Sequence, residues 1–120
     1  MQISKKEINQ NLESKIKNIF AQLIADINTK EQAQDFLQDF LTETEYVALV
    51  KRMGLIFYLS DGKSYKTIKD DLKVSSATIA TVQSGLEKQK KGLILALKLI
   101  KAEEWASKWA GKITGIFGKK

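Results

Sequence analysis

The chain has 120 residues, with 20 Lys and Arg against 14 Asp and Glu, 43% hydrophobic residues, and no His, Cys or Pro. That is enough apolar material for one small core and argues against wholesale disorder; without His or Cys there is no Ser-His-Asp or Cys-His machinery, thiol redox centre, or ordinary zinc or haem site, so neither an enzyme nor a metal or other cofactor is expected. Residues 1–45 carry 5 basic and 8 acidic groups, and residues 46–120 carry 15 and 6, so the basic remainder of the chain points to an anionic partner, nucleic acid or a membrane surface.

Helical spacing dominates, and about six helices are expected with no strand. Ser4, with Glu7 three residues on, reads as a capping box. From it Ile8, Leu12, Ile16, Ile19, Phe20, Leu23, Ile24 and Ile27 follow at steps of three and four, one apolar stripe on a helix of five to six turns. Asn28 and Thr29 end that helix, and Thr29 caps a short second one carrying Ala33, Phe36, Leu37 and Phe40. Thr42 and Glu45 form a second capping box. The third helix runs from there through Leu59, with Tyr46, Leu49, Val50, Met53, Ile56, Phe57 and Leu59 expected largely inward. Gly62 then suits a left-handed helix C-terminus.

The next two helices are short. Ser64 caps Tyr65 to Lys73, with Ile68 and Leu72 on one face. A tight turn at Val74 and Ser75 leads to a helix from Ala77 to about Lys88, with Ile79, Val82 and Leu86 inward, forming a small core with Ile68, Leu72 and Val74. Two short helices joined by a three- or four-residue turn match a helix-turn-helix, placed at 64–88. The outward face of its second helix offers Ser75, Ser76, Thr78, Thr81, Gln83 and Ser84. Short hydroxyls there suit base edges in a major groove, and Ala77 allows close approach. Lys66 and Lys69 before the turn, and Lys88, Lys90 and Lys91 after it, suit phosphates. The competing reading is two solvated helices of a bundle, or a helix-turn-helix that contacts protein. The turn position often held by Gly is Lys73, at a cost of about 1 kcal/mol. No Arg lies in the second helix, which directs readout toward hydroxyl, water-mediated or shape recognition.

The stretch LTETEYVALVKRMGLIFYLSDGKS (residues 41–64), then Ile68 and Leu72 around I-K-x-x-L, then SSATI at 75–79, resembles the Trp repressor family. It is most similar to those Trp-repressor-like regulators that lack an intact tryptophan pocket. The likeness covers roughly residues 36–90. It implies an all-α, intertwined homodimer with interlocked N-terminal helices, and a transcriptional regulator that binds double-stranded DNA at a two-fold symmetric operator. On the ligand side, Arg52 matches an Arg that holds the co-repressor carboxylate, and Thr42 matches a pocket threonine. Thr81 stands where the family has a second ligand-binding Arg, and Val82 where it has a pocket glycine. These two departures argue against tryptophan as ligand, and Arg52 is then expected to be a surface residue or to pair with Glu45 or Asp61.

Residues 91–120 read as a C-terminal amphipathic basic helix appended to a helical domain of residues 1–90. Leu93, Leu97, Ile100, Trp105, Trp109, Ile113 and Phe117 alternate with Lys98, Lys101, Lys108 and Lys112. Packing of this stripe on the dimer is the leading expectation; a membrane surface met by residues 92–117, and added DNA contact by the Lys face, are the others. With no apolar N-terminal run and no disulfide framework, a cytoplasmic location is expected. The expected function is DNA-binding transcription regulation, the alternative being a helical protein-interaction or membrane-surface protein acting through the C-terminal helix.

Overall fold

The computed structural model describes residues 6–117, with side chains described through Glu104. Six helices follow in order: α1 (Gln10–Asp26), α2 (Lys30–Phe40), α3 (Glu43–Ser60), α4 (Tyr65–Leu72), α5 (Ser76–Glu87) and α6 (Lys91–Phe117). There is no strand among the described residues, and the protein is all-α. The chain forms two compact units, Met1–Ala48 and Leu49–Lys120.

In the first unit, α1 begins later than the S-x-x-E pattern predicts. Glu7 and Ile8 precede the helix, and Ser4 lies outside the described residues. Asn9 is the N-cap: its Oδ1 accepts from the backbone N–H of Asn11 at 2.9 Å and of Leu12 at 3.2 Å. Asn ranks with the best capping residues, and two orphan donors satisfied by one side chain set the start there. Thr29 caps α2 as expected, its hydroxyl accepting from Gln32 N–H at 3.1 Å. The capping box at α3 is reciprocal: Thr42 Oγ1 accepts from Glu45 N–H at 3.1 Å, and the Glu45 carboxylate accepts from Thr42 N–H at 2.8 Å. Those bonds hold the Glu45 carboxyl below its ordinary range.

Phe20 of α1 meets Phe36 and Phe40 of α2 edge-on, with centroids 6.3 and 5.6 Å apart, and the two α2 rings stack at 5.0 Å. This small aromatic cluster is what the unit has for an interior. No residue of α1 or α2 is buried, and the stripe Leu12, Ile16, Ile19, Leu23 and Ile24 stays 41–58% exposed.

The second unit holds the core. Leu55, Ile68 and Ile79 are fully buried, joined by Ile56 and Val82. Tyr58, Leu59, Leu72, Val74, Leu86, Leu93 and Leu97 pack around them. The expected inward set of α3 is corrected here. Ile56 is buried, but Leu49, Val50, Met53 and Phe57 remain exposed, and the fully buried residue is Leu55. A helix apolar on several sides needs cover on several sides, and within this unit cover reaches only the side bearing Leu55 and Ile56.

α3 ends in a Schellman motif. Gly62 has φ +74°, its N–H donates to Leu59 O at 3.1 Å, and Lys63 N–H donates to Tyr58 O at 3.0 Å. The same geometry ends α5 on a non-glycine residue: Gln89 has φ +54°, with Gln89 N–H on Leu86 O and Lys90 N–H on Gly85 O. α6 therefore departs at once, and Gly85 lies close under Leu93, where an added Cβ would come within 3.0 Å of Cδ1.

Candidate nucleic-acid interface

α4 starts where the Ser64 hydroxyl accepts from Thr67 N–H at 3.1 Å. It stops at Leu72 because Lys73 adopts the left-handed conformation, φ 55° and ψ 52°. The chain turns through Lys73, Val74 and Ser75, and Ser75 caps α5 by accepting from Thr78 N–H at 3.2 Å. Ile68 from α4 and Ile79 and Val82 from α5 are buried together, with Leu72, Val74 and Leu86 against them. These are the six residues the spacing assigned to the small core of the motif.

Polar bridges set the helices relative to one another. The Lys51 ammonium of α3 donates to Lys73 O at 3.1 Å, across the left-handed turn residue. The Tyr58 hydroxyl donates to Asp71 at 2.7 Å, linking α3 to α4. That bond and the nearby carboxylate raise the Tyr58 pKa above its ordinary value of 10.0. Tyr65 of α4 bonds the Gln83 side chain of α5, and Lys69 of α4 reaches Ser76 Oγ at the start of α5, 3.1 Å away.

The outward surface of α5 consists of Ser75, Ser76, Ala77, Thr78, Ala80 and Thr81, all exposed. Gln83 and Ser84, expected on that surface, are only half-exposed, and Gln83 is held between Tyr65 and Glu87. The hydroxyls have local partners: Ser75 and Thr78 share a bond at 3.0 Å, and Thr81 donates to Ala77 O at 3.0 Å. A hydroxyl has one donor and two acceptor sites, so Thr81 keeps acceptor capacity and Ser76, which accepts from Lys69, keeps its donor. α5 carries no carboxylate before Glu87. The positive end of its dipole and the Lys69 ammonium thus lie together at its N-terminus.

Of the flanking cations, Lys66 is highly exposed and pairs with Asp70 at 3.1 Å on the same helix. Lys88 is the exposed C-cap of α5, followed by exposed Lys90 and Lys91. Lys73 is exposed as well, a cation in the turn itself that is not among the expected flanking lysines; its place as the left-handed residue is the sequence signal that marks it. Ala80 was also missed, although a small residue one helical turn after Ser76 has the spacing of that face.

The residues matched to a ligand site are engaged otherwise or open. Thr42, in the first unit, spends its hydroxyl on the cap of α3. Arg52, in the second, is exposed, the first of the two alternatives expected for it, and the pairing with Asp61 within that unit does not form. Val82 is part of the core at 7% exposure.

Two short capped helices locked by an apolar cluster around a left-handed turn, within an all-helical chain, define a helix-turn-helix protein. The chain belongs to the Trp repressor protein family, which it matches over residues 14–100. The match begins in α1 and ends within α6, wider at both ends than the motif-bearing stretch 36–90. No curated protein and no solved structure matches the chain.

Proposed function

We propose that this protein is a cytoplasmic DNA-binding transcription regulator that lays α5 in the major groove of double-stranded DNA and works as a homodimer. The observation that carries the reading is the face of α5: an exposed hydroxyl-and-alanine surface without a carboxylate, with Lys69 hydrogen-bonded to its first residue. Ser75, Ser76, Thr78 and Thr81 meet base edges directly or through water, and Lys66, Lys69 and Lys88 neutralise phosphates. Membership of a family of regulators supports the same class. Tryptophan is not the ligand in this reading, since Thr81 and Val82 replace the family's second Arg and pocket glycine. Thr42 and Arg52 are what remains of that site.

The dimer rests on the exposed stripe of α1. A row of large apolar residues left 41–58% exposed, in a unit with no buried residue among those described, marks a surface that a protein partner covers. Residues 1–90 then form the DNA-binding module, and 91–120 a helix added to it.

Selection of random duplexes by the full-length protein tests the function. A two-fold symmetric enriched site is the expected outcome, and failure to enrich any site removes sequence-specific regulation. Three lysines per subunit, six per dimer, give an expected slope of log K against log salt of about −5. A slope near zero would remove phosphate contact altogether.

A further inference from the structure

The hydroxyls on the outward surface of α5 are not equivalent, because each spends a different part of its hydrogen-bonding capacity inside the motif. A hydroxyl has one donor and two acceptor sites, so a free one faces a base donor or a base acceptor equally well. Thr81 spends its donor on Ala77 O at 3.0 Å. Ser75 and Thr78 share a bond at 3.0 Å in which either can be the donor, so that pair has no set polarity. Ser76 differs from all three: its Oγ accepts from the Lys69 ammonium of α4, 3.1 Å away across the turn. An ammonium has donors only, so the Ser76 proton points away from Lys69. The two carboxylates that follow Lys69 in the chain are bonded to other groups, Asp70 to Lys66 at 3.1 Å and Asp71 to Tyr58 at 2.7 Å. Ala77 and Ala80, exposed and small, lie next to Ser76 in the chain and one helical turn on, and leave its hydroxyl open to approach.

We propose that Lys69 is a positioning residue that turns Ser76 into a hydrogen-bond donor toward DNA, so that the base opposite Ser76 is one presenting an acceptor and not cytosine. The inference rests on α5 being the helix that meets DNA. In the major groove guanine offers N7 and O6, adenine N7 and thymine O4, all acceptors, whereas cytosine offers only its N4 amino donor. A Ser76 hydroxyl free to turn accepts from cytosine as readily as it donates to the other three. With the ammonium on its oxygen, the O–H is polarised into a stronger donor, and the positive charge opposes an incoming amino group. α5 has no Arg for a bidentate contact with guanine, so the polarity of its hydroxyls carries more of the discrimination. Lys69 keeps two further N–H groups for a phosphate, a contact that adds the same affinity to every duplex.

Selection from a randomised duplex library by the full-length protein and its variants, read as base frequencies at each position, tests this. For wild type the enriched site is expected to hold one base pair per half at which cytosine is depleted on one strand. The depletion is about two- to tenfold, the size of one net hydrogen bond. Lys69→Met keeps the aliphatic stem and removes both donor and charge, and cytosine returns at that base pair alone. Ser76→Ala alters the same base pair, and adding Lys69→Met to Ser76→Ala shifts no base preference further. Lys69 and Ser76 are both exposed, so the far-ultraviolet circular dichroism stays unchanged; should Lys69→Met lose its fold, Lys69→Ala serves instead. Failure of wild type to enrich any site removes the regulator reading and this inference with it. An enriched site without such a cytosine depletion overturns the inference alone. So does a Lys69 variant that loses affinity uniformly with its base preferences intact, or that changes a base pair Ser76→Ala leaves untouched.

Discussion

Replacing Lys73 with Gly stabilises the protein. Lys73 holds φ 55° and ψ 52°, a conformation in which a Cβ crowds the following carbonyl at a cost of about 1–2 kcal/mol, and which glycine adopts freely. Glycine also gives back about 0.5–1 kcal/mol through the larger entropy of the unfolded chain, leaving a net gain of roughly 0.5–1 kcal/mol. The contacts that hold the turn survive the change because they are made by backbone: the residue's N–H donates to Lys69 O at 3.0 Å, and its carbonyl accepts from Lys51 at 3.1 Å. The Lys73 side chain is exposed, so its loss alone is near neutral. For a chain of this size the midpoint of thermal unfolding rises by about 2–6 °C. The assay is thermal denaturation of wild type, Lys73→Gly and Lys73→Ala at one protein concentration, which holds any effect of self-association on the midpoint constant. Lys73→Ala removes the charge while keeping the Cβ, and it stays within about 0.5 kcal/mol of wild type. A Gly variant no more stable than the Ala variant refutes the strain argument.

Leu55→Ala empties a fully buried position in the centre of the second unit and costs about 2–5 kcal/mol, measurable by urea denaturation; a cost below 1 kcal/mol would mean the core is not packed around that side chain. Glu45→Gln is less stable than wild type at neutral pH, because the lowered carboxyl pKa contributes stability above the ordinary value of 4.5 that is lost as pH falls through the folded value; the two unfolding curves should converge in acid, and a constant difference down to pH 2 contradicts the capping role. At the other end of the scale, Tyr58→Phe matters most below pH 10, where the raised phenol pKa still favours the folded protein, and the difference from wild type shrinks as pH rises through that folded pKa. Lys69→Ala weakens binding to every duplex and lowers the salt slope by about 1 per subunit if it meets a phosphate; an unchanged slope together with relaxed selectivity at one base pair would move Lys69 from phosphate to base recognition, beside Ser76.

What could be read in advance was local. The Thr29 and Ser64 caps, the Thr42–Glu45 box, the left-handed Gly62 and Lys73, and the helix-turn-helix core of Ile68, Leu72, Val74, Ile79, Val82 and Leu86 all depend on groups a few residues apart or on one helix period. The start of α1 was not legible from the Ser4–Glu7 pattern; it lies at Asn9, whose side chain satisfies two backbone donors. The exposed polar surface of α5 was mostly legible as well, since Ser75, Ser76, Thr78 and Thr81 lie off the apolar line of Ile79, Val82 and Leu86.

Sequence by itself therefore determined the helices, their ends and the class of motif, because hydrogen-bond satisfaction and backbone strain act at short range along the chain. Tertiary structure decided which apolar residues are covered, and burial is a property of surfaces brought in from elsewhere. Leu55 is sealed while Met53 and Phe57 on the same helix are open, which no periodicity within α3 specifies. It also carried Lys69 across the turn to Ser76, and it drew Gln83 off the open face of α5 through Tyr65. For α6 it packed Leu93 and Leu97 on the core and left Leu95 and Leu99 exposed, because only contact with the core tells one apolar face from another.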